Sequence, residues 1–378
     1  MFARARFARM PPSEELPASR APRPRTRALA TVALALASLG VALVLAEGLS
    51  RARGLAPWTP DPAEGRVEPG GSLYLPDPVL GWRLRPGTYR VTLATGLVFR
   101  ATHDAAGRRA TAPPGSPDTG GTGGAPAHER PEIWIFGDSF SYGWSVNDAQ
   151  TYPWRVQAAF PRHRIVNFAV GGYGTLQALL QLREALRNPP PPALVVLGHN
   201  FFHDSRNTFS RLRAREVAPW NQLGAIEHPW ARFASDGTLG FGSSPVAYRE
   251  LPGMRRSALA QLLATSWDIL DERRLRGPEV TRELLRRFVA DAREAGAPVL
   301  VVTLEASPAN APLLAAARSF GAQAADISVD LRRRENTNLP GDGHPSALAH
   351  RRFAARIARV IHNAVGSPKA SRPLPTTN

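Results

Sequence analysis

Five short apolar runs, separated by helical patterns, constrain the fold of this chain more than any other sequence feature. The helical patterns place apolar residues three and four positions apart, whereas the runs between them are too short for helices. Strands that are apolar throughout are typical of parallel sheets covered on both faces. The pattern predicts an α/β fold, a three-layer α/β/α sandwich with a mostly parallel five-stranded sheet. The runs are EIWIF (132–136), RIVNFA (164–169), ALVVL (193–197), PVLVVTL (298–304) and QAADI (323–327).

An insertion interrupts this alternation between the third and fourth strands, over residues 204–277. Loops that follow the carboxyl ends of parallel strands line ligand sites, so the insertion is predicted to be a lid or substrate-recognition region. It contains Trp220, Trp230 and Trp267. These three side chains fit core anchors and carbohydrate-stacking platforms equally well.

An uncharged apolar run occupies residues 28–46 and predicts one N-terminal transmembrane helix, since about 20 such residues cross a bilayer. Seven arginines but only two glutamates precede it, which predicts a basic cytosolic tail over residues 1–27 and export of everything after Glu47. A cleaved signal peptide is the alternative, with Val44 and Ala46 as a small-residue cleavage site. The run is longer than a usual signal-peptide core, which favours an uncleaved anchor.

Composition divides the exported part into three segments. Residues 47–130 are rich in Pro, Gly and Arg, and predict a juxtamembrane segment with a small β element and a linker. The folded domain is predicted over 131–366, and a disordered tail over 367–378.

The net charge is +16, yet Lys369 is the only lysine, which indicates GC-rich codon usage better than selection for phosphate contacts. Nucleic acid is therefore not an expected partner, and the absence of cysteine excludes disulfides, thiolate metal sites and Cys nucleophiles.

Polar residues follow the apolar runs at positions that a parallel sheet brings to one edge. The first run leads into Gly137-Asp138-Ser139, where a Ser on a tight turn presents its hydroxyl. A Ser in that position fits a helix N-cap equally well when the motif is taken alone. The other runs shift the balance toward a catalytic site, because donor-bearing residues also follow them and precede the last helix. These residues are Gly172, Asn200 and His344.

The four blocks resemble the SGNH hydrolase superfamily, the GDSL-type esterases, whose motifs carry Ser, Gly, Asn and His in this order. The likeness spans residues 132–366 apart from the insertion, and Gly-Asp-Ser-Phe-Ser-Tyr-Gly at 137–143 is its strongest part. The segment from Asp77 to Gly87 is similar to one that precedes the catalytic domain in the N-terminally membrane-anchored bacterial branch. The resemblance implies a flavodoxin-like SGNH fold. It also implies a location at the bacterial inner (cell) membrane, with the catalytic domain periplasmic or extracellular.

The resemblance also implies the roles of the site residues. Ser139 would be the nucleophile and His344 the general base. The backbone N–H groups of Ser139 and Gly172 and the amide of Asn200 would form the oxyanion hole. The orienting Asp of the family lies three residues before the His, where this chain has Gly341. Asp342, two residues before, is the alternative for that role.

A second departure is Phe201, which follows Asn200 where the family often has an acidic residue. Asp138 is predicted to make structural hydrogen bonds within the turn. His199 and His203 are four residues apart, the spacing of two zinc ligands on one helix. The metalloprotease motif has Glu where this chain has Asn200, so no metal is predicted. Residues 171–174 lack the Lys of a phosphate loop, and no cofactor is predicted either.

Two classes of function remain open at this point. The first is an exported, membrane-anchored serine esterase or O-acyl (acetyl) transferase, an ester-bond hydrolase type, acting on an acylated carbohydrate, envelope polymer or lipid. The second is a non-catalytic SGNH-like scaffold that binds a polysaccharide or an assembly partner.

Overall fold

The computed structural model describes residues 24–60, 65–113 and 130–366. Most of the predicted cytosolic tail, most of the linker over 114–129 and the C-terminal tail lie outside the described residues.

The described chain divides into two compact units. One contains residues 24–58 and 253–262, and the other contains 59–252 and 263–366. The helices are α1 (Pro24–Ala52), α2 (Ser139–Tyr142), α3 (Tyr152–Ala159), α4 (Thr175–Ala185), α5 (His203–Thr208), α6 (Arg211–Val217), α7 (Ala258–Leu275), α8 (Gly277–Glu294), α9 (Asn310–Ser319) and α10 (Ala347–Gly366). The strands are β1 (Arg66–Glu68), β2 (Tyr74–Asp77), β3 (Gly81–Leu84), β4 (Gly87–Thr92), β5 (Val98–His103), β6 (Glu132–Phe136), β7 (Arg164–Asn167), β8 (Leu194–His199), β9 (Glu227–Phe233), β10 (Leu239–Pro245), β11 (Val299–Glu305), β12 (Gln323–Val329), β13 (Thr337–Asn338) and β14 (Asp342–Pro345).

The larger unit is built on a five-stranded sheet in the order β12-β11-β8-β6-β7. Every pairing in this sheet is parallel, as the five apolar runs predict. The predicted α/β fold class is confirmed. The strand order reverses direction between β6 and β8, and in sheets of this kind ligands bind beyond the carboxyl ends of the strands at that point.

Alternate residues of the strands enter two separate hydrophobic cores, because successive side chains of a strand point to opposite faces. Trp134 and Phe136 pack in a core with α4, α8 and α9 on one face of the sheet. Ile133 and Ile135 pack in a second core with α3 and α10 on the other face. The sheet is therefore covered on both faces, which explains why its central strands are mostly apolar.

Residues 65–113 form small antiparallel β elements within the same compact unit. β1, β4 and β5 make a three-stranded sheet, and β2 pairs with β3. Trp82 and Phe99 of these elements share a core with Tyr142 of α2 and with Tyr173, which precedes α4. The segment that composition separates at residue 130 is thus packed against the two loops that follow β6 and β7.

Arg109 fastens this segment to the chain beyond α2. Its guanidinium is buried, its Nε donates to Asp148 Oδ1 at 2.8 Å, and its other nitrogens donate to the carbonyl oxygens of Gly143, Arg100 and Val146. All donor nitrogens of this buried cation therefore have acceptors. Sequence inspection did not single this residue out, because nothing local distinguishes it from its neighbour Arg108.

The Arg109→Met variant is expected to lose about 3 kcal/mol of unfolding free energy, since Asp148 and three carbonyls would lose a buried partner. For a domain of this size the melting temperature should fall by roughly 6–12 °C. Arg90→Met, at an exposed position of β4, is the matched control. Equal melting temperatures of the two variants would contradict the fastening role.

The smaller unit contains the apolar helix α1. Its residues 28–52 have a mean hydropathy of 2.5 in the most apolar window, none of which is buried. Within the described residues, this is the one helix long and apolar enough to cross a membrane, as an anchor or a signal sequence. Glu47 near its end accepts hydrogen bonds from the backbone N–H groups of Ala258 and Leu259 and from the Ser257 hydroxyl.

Candidate active site

Ser139 lies on the tight turn between β6 and α2, at the carboxyl end of the sheet. Gly137 has a φ of +156°, and a side chain there would come within 2.5 Å of Ser141 Oγ, so the turn requires glycine. The Asp138 carboxylate accepts from the Phe140 N–H at 2.8 Å and caps the helix. Asp138 therefore makes the turn hydrogen bond predicted from the sequence, and the Ser139 hydroxyl is left for another partner.

That partner is His344. The distance between His344 Nε2 and Ser139 Oγ is 3.0 Å, and His344 Nδ1 lies 2.6 Å from Asp342 Oδ1. An ionised carboxylate only accepts hydrogen bonds, so Nδ1 carries the proton and Nε2 presents its lone pair to the Ser139 hydroxyl. This is the arrangement in which an imidazole can take the proton of a serine.

The two-residue spacing of Asp342 and His344 works because both lie on strand β14. Side chains two positions apart on a strand project from the same face, whereas the family's three-residue spacing requires a different backbone. β14 is held by pairing with β13 and by the Thr95 hydroxyl, which donates to the Gly341 carbonyl at 2.6 Å. Asp342 therefore contacts His344 as an orienting acid would, although it precedes the histidine by two residues and not by three.

Asp342 is held as a carboxylate by its surroundings. Burial raises the pKa of its carboxyl, but hydrogen bonds from the His344 ring, the His344 N–H and the Trp144 side chain outweigh burial and lower it below its usual value. The Trp144 ring also lies against His344, with ring centroids 6.2 Å apart. A negative charge next to the imidazole at neutral pH favours the imidazolium that forms during acyl transfer.

Two backbone donors at the site have no acceptor within the described residues, namely the N–H groups of Ser139 and Gly172. Gly172 has a φ of +84°, and a side chain there would come within 2.8 Å of Trp82 and 2.9 Å of the Arg213 guanidinium. Trp82 Nε1 donates to the Gly171 carbonyl, which lies in the same peptide plane as the Gly172 N–H and helps to fix that plane. Unsatisfied donors in fixed positions are what an oxyanion requires.

Asn200 follows β8 and is held on both sides of its amide. Its Oδ1 accepts from the Glu305 N–H at 3.2 Å, and its Nδ2 donates to Asp138 Oδ2 at 2.7 Å. Because a backbone N–H only donates and a carboxylate only accepts, the orientation of the amide is determined. One of the two Nδ2 hydrogens is used by Asp138, which leaves the second available to an oxyanion.

A buried hydrogen-bond network that is not evident from the sequence lies beneath the Ser139 turn. Asp138 Oδ2 also accepts from His203 Nε2 at 2.9 Å and lies 3.7 Å from Arg206. Burial raises the pKa of Asp138, but His203, Arg206 and Asn200 together hold it well below its usual range. Thr175 Oγ1 lies 3.1 Å from His203 Nδ1, which occupies the remaining ring nitrogen of His203.

The two histidines considered as zinc ligands therefore serve other contacts. The rings of His199 and His203 lie edge to face with centroids 4.6 Å apart, and both are buried. Within the described part of the chain, no group of three His, Cys, Asp or Glu side chains is placed to hold a metal ion.

An apolar cavity of about 60 Å³ borders this region. Trp82, one of its walls, donates from Nε1 to the Gly171 carbonyl at 3.0 Å, and Trp144, another wall, lies against His344. The cavity is completed by residues of the accessory β elements and of the insertion, including Leu73, Val217 and Ile226. The insertion therefore takes part in shaping the surroundings of the site.

The tryptophans of the insertion differ from one another. Trp230 is partly buried in β9, and its Nε1 donates to Ser244 Oγ at 2.9 Å. Trp267 of α7 is half exposed, with Arg211 over its ring. The side chain of Trp220 lies outside the described residues.

Solved structures with a similar fold were found, whereas no protein-family model and no curated protein matches this chain. A member of the lipolytic protein G-D-S-L family from Veillonella parvula has 11% identity and a TM-score of 0.36, over 61% of this chain and 97% of that one. A carbohydrate acetylesterase family member from Sinorhizobium meliloti has 13% identity and a TM-score of 0.36, over 63% and 100%. An extracellular lipase from Streptomyces rimosus has 16% identity and a TM-score of 0.32, over 62% and 99%.

This chain is similar to lipolytic proteins of the G-D-S-L family. At these identities and TM-scores the similarity concerns the fold, and the function is argued from the geometry of the site.

Proposed function

We propose that this protein is an exported, membrane-anchored serine esterase or O-acyl transferase that forms a covalent acyl intermediate on Ser139. The observation that carries the proposal is the continuous hydrogen-bonded series Ser139, His344 and Asp342. Beside it lie two backbone N–H groups, those of Ser139 and Gly172, that have no acceptor among the described residues. A non-catalytic scaffold has no need of a serine hydroxyl bonded to an imidazole that a carboxylate orients. The displaced acid, which favoured the scaffold alternative, lies within hydrogen-bond distance of His344.

The geometry supports the following reaction. The Ser139 hydroxyl attacks the ester carbonyl carbon as its proton passes to His344 Nε2, and the negative oxygen is bound by the N–H groups of Ser139 and Gly172 and by Asn200. Collapse of the tetrahedral intermediate breaks the ester C–O bond, and His344 returns the proton to the departing alcohol. Water or a second alcohol then attacks acyl-Ser139, with His344 again as the base, and releases an acid or a new ester.

The substrate class we propose is an acylated carbohydrate, envelope polymer or lipid. The apolar cavity lined by Trp82 and Trp144, of which Trp144 lies against His344, supports an apolar acyl group. Water and an alcohol attack the same acyl intermediate, so both the hydrolase and the transferase belong to this proposal.

A fluorophosphonate probe is expected to label the full-length protein in detergent, because the activated serine attacks phosphorus as it attacks a carbonyl. The Ser139→Ala variant, which retains the Asp138 cap and the turn glycine, should not be labelled. Ser145→Ala is a matched control at another buried serine and should keep the label. A folded wild-type protein that fails to react would overturn the proposed enzyme.

We further propose that α1 anchors the chain in the inner membrane with the catalytic unit on the exported side. The arginine excess before residue 28 supports this orientation. A reporter that is active only after export, fused after Leu55, is expected to be active. Activity of a matched cytosolic reporter at the same position would contradict both the orientation and the location.

A further inference from the structure

Helix α7 carries an exposed apolar face. Its exposed side chains include Leu263, Trp267, Ile269 and Leu270, each between 45% and 62% accessible. Leu263, Trp267 and Leu270 recur four and three residues apart and therefore form one stripe along the helix, with Ile269 at the edge of the same exposed face. Single exposed apolar residues are ordinary on protein surfaces, but a stripe of three large ones on one helix marks an interaction surface.

The polar residues of α7 are segregated away from that stripe. Asp268 is buried and accepts from Arg211 Nε and Arg215 Nη1, both at 3.0 Å. Asp271 accepts from the backbone N–H of Arg211 at 2.8 Å. The carboxylates in the second half of the helix thus serve contacts within the protein, and the exposed face contains no acidic residue.

The exposed face ends in two arginines, Arg273 and Arg274, one turn beyond Leu270. Leu and Trp on one face, with basic residues at its edge, are typical of helices that lie in the interface of a bilayer. Anionic headgroups attract such arginines, and Trp favours the headgroup level. A face without acidic residues is suited to a negatively charged lipid surface.

The start of α7 is held at the end of the apolar helix α1. Glu47 caps the first turn of α7 through the N–H groups of Ala258 and Leu259, and Arg51 Nη2 donates to the Arg256 carbonyl at 3.0 Å. The first turn of α7 is therefore fixed to the residues that follow the apolar run of α1.

We propose that the exposed face of α7 lies on the membrane surface, with Leu263, Trp267 and Leu270 inserted at the level of the lipid headgroups. The proposal rests on the membrane anchoring by α1 proposed above. It gives this segment of the insertion a second attachment to the bilayer, in addition to the spanning helix.

The chain has no cysteine, so single Cys variants can be labelled at one position with an environment-sensitive fluorophore. Leu263→Cys and Leu270→Cys probe the stripe. Ala355→Cys, at an exposed position of α10 beside Arg356, is the control on a polar surface, and Leu39→Cys reports α1. The full-length variants are reconstituted in vesicles of phosphatidylethanolamine and phosphatidylglycerol that contain a lipid with a spin label near the headgroup.

We expect the spin-labelled lipid to quench the labels at 263 and 270 at least about threefold more strongly than the label at 355. Quenching equal to that at 355 would overturn the proposal. Shielding of the labels at 263 and 270 in detergent would also overturn it if the shielding increases with protein concentration, because that result indicates contact with a second copy of the chain. The label at Leu39, probed with a spin label deep in the acyl chains, reports the anchor separately. If the label at Leu39 is not quenched, the proposed anchor is contradicted. The contact of α7 with the membrane is still decided by comparing positions 263 and 270 with position 355.

Each labelled variant is also tested with the fluorophosphonate probe and by thermal melting. Reaction at Ser139 and an unchanged melting temperature show that the variant is folded. Because positions 263 and 270 are exposed and lie two turns apart, each provides an independent measurement of the same face.

Discussion

The Asp342→Asn variant is expected to remain folded and to lose about 10⁴-fold in kcat for ester hydrolysis. Asp342 Oδ1 accepts from both the N–H and Nδ1 of His344, and this fixes the ring with its free nitrogen toward Ser139. An amide in this position can donate to Nδ1, which favours the tautomer with the proton on Nε2. That tautomer cannot accept the proton of Ser139.

The measurement is kcat on a chromogenic ester, with Asp236→Asn as a control at an exposed carboxylate. The folded-state pKa of Asp342 is below its usual value, so its carboxylate is retained at neutral pH and its stabilising contribution is lost only as the pH falls through that lowered pKa. A loss of less than about tenfold would assign the orienting role to another group.

The Asn200→Ala variant is expected to lose roughly 10²- to 10³-fold in the rate of acylation, the usual cost of removing one oxyanion donor. The same change should also reduce the unfolding free energy by about 1–3 kcal/mol, because Asp138 and the Glu305 N–H would lose a buried partner. The loss of stability alone therefore does not separate a catalytic from a structural role for this residue.

The Asn207→Ala variant is the control that separates a catalytic from a structural role for Asn200. Asn207 is equally buried, accepts from the Leu176 N–H at 2.9 Å and donates to Thr281 Oγ1 at 2.8 Å. Its removal should lower stability to a similar extent and change the acylation rate little. Pre-steady-state ester cleavage and melting temperature are measured on both variants. Similar acylation rates for the Asn200→Ala and Asn207→Ala variants would contradict the assignment of Asn200 to the oxyanion hole.

The loop that carries Gly172 and the strand that carries His344 both contact the β elements of residues 65–113. Trp82 of β3 contacts the loop that carries Gly172, and Thr95, in the turn between β4 and β5, bonds to Gly341. Composition marks this Pro- and Gly-rich segment as a peripheral connection. The long-range contacts that make it part of the site leave no periodic pattern in the sequence.

The sequence by itself determined the layered α/β fold, because strands buried on both faces must be apolar throughout and the helices between them must be amphipathic. It also indicated Ser139, Gly172 and Asn200, because parallel strands bring their carboxyl ends to one edge, and His344 through the motif that precedes the last helix. Only the tertiary structure decided the position of Asp342, since whether residues two apart share a face depends on β14 being extended. It likewise decided that Asp138 is the partner of Asn200 and His203 and that Asp148 is the partner of Arg109, because these contacts join residues 39 or more positions apart.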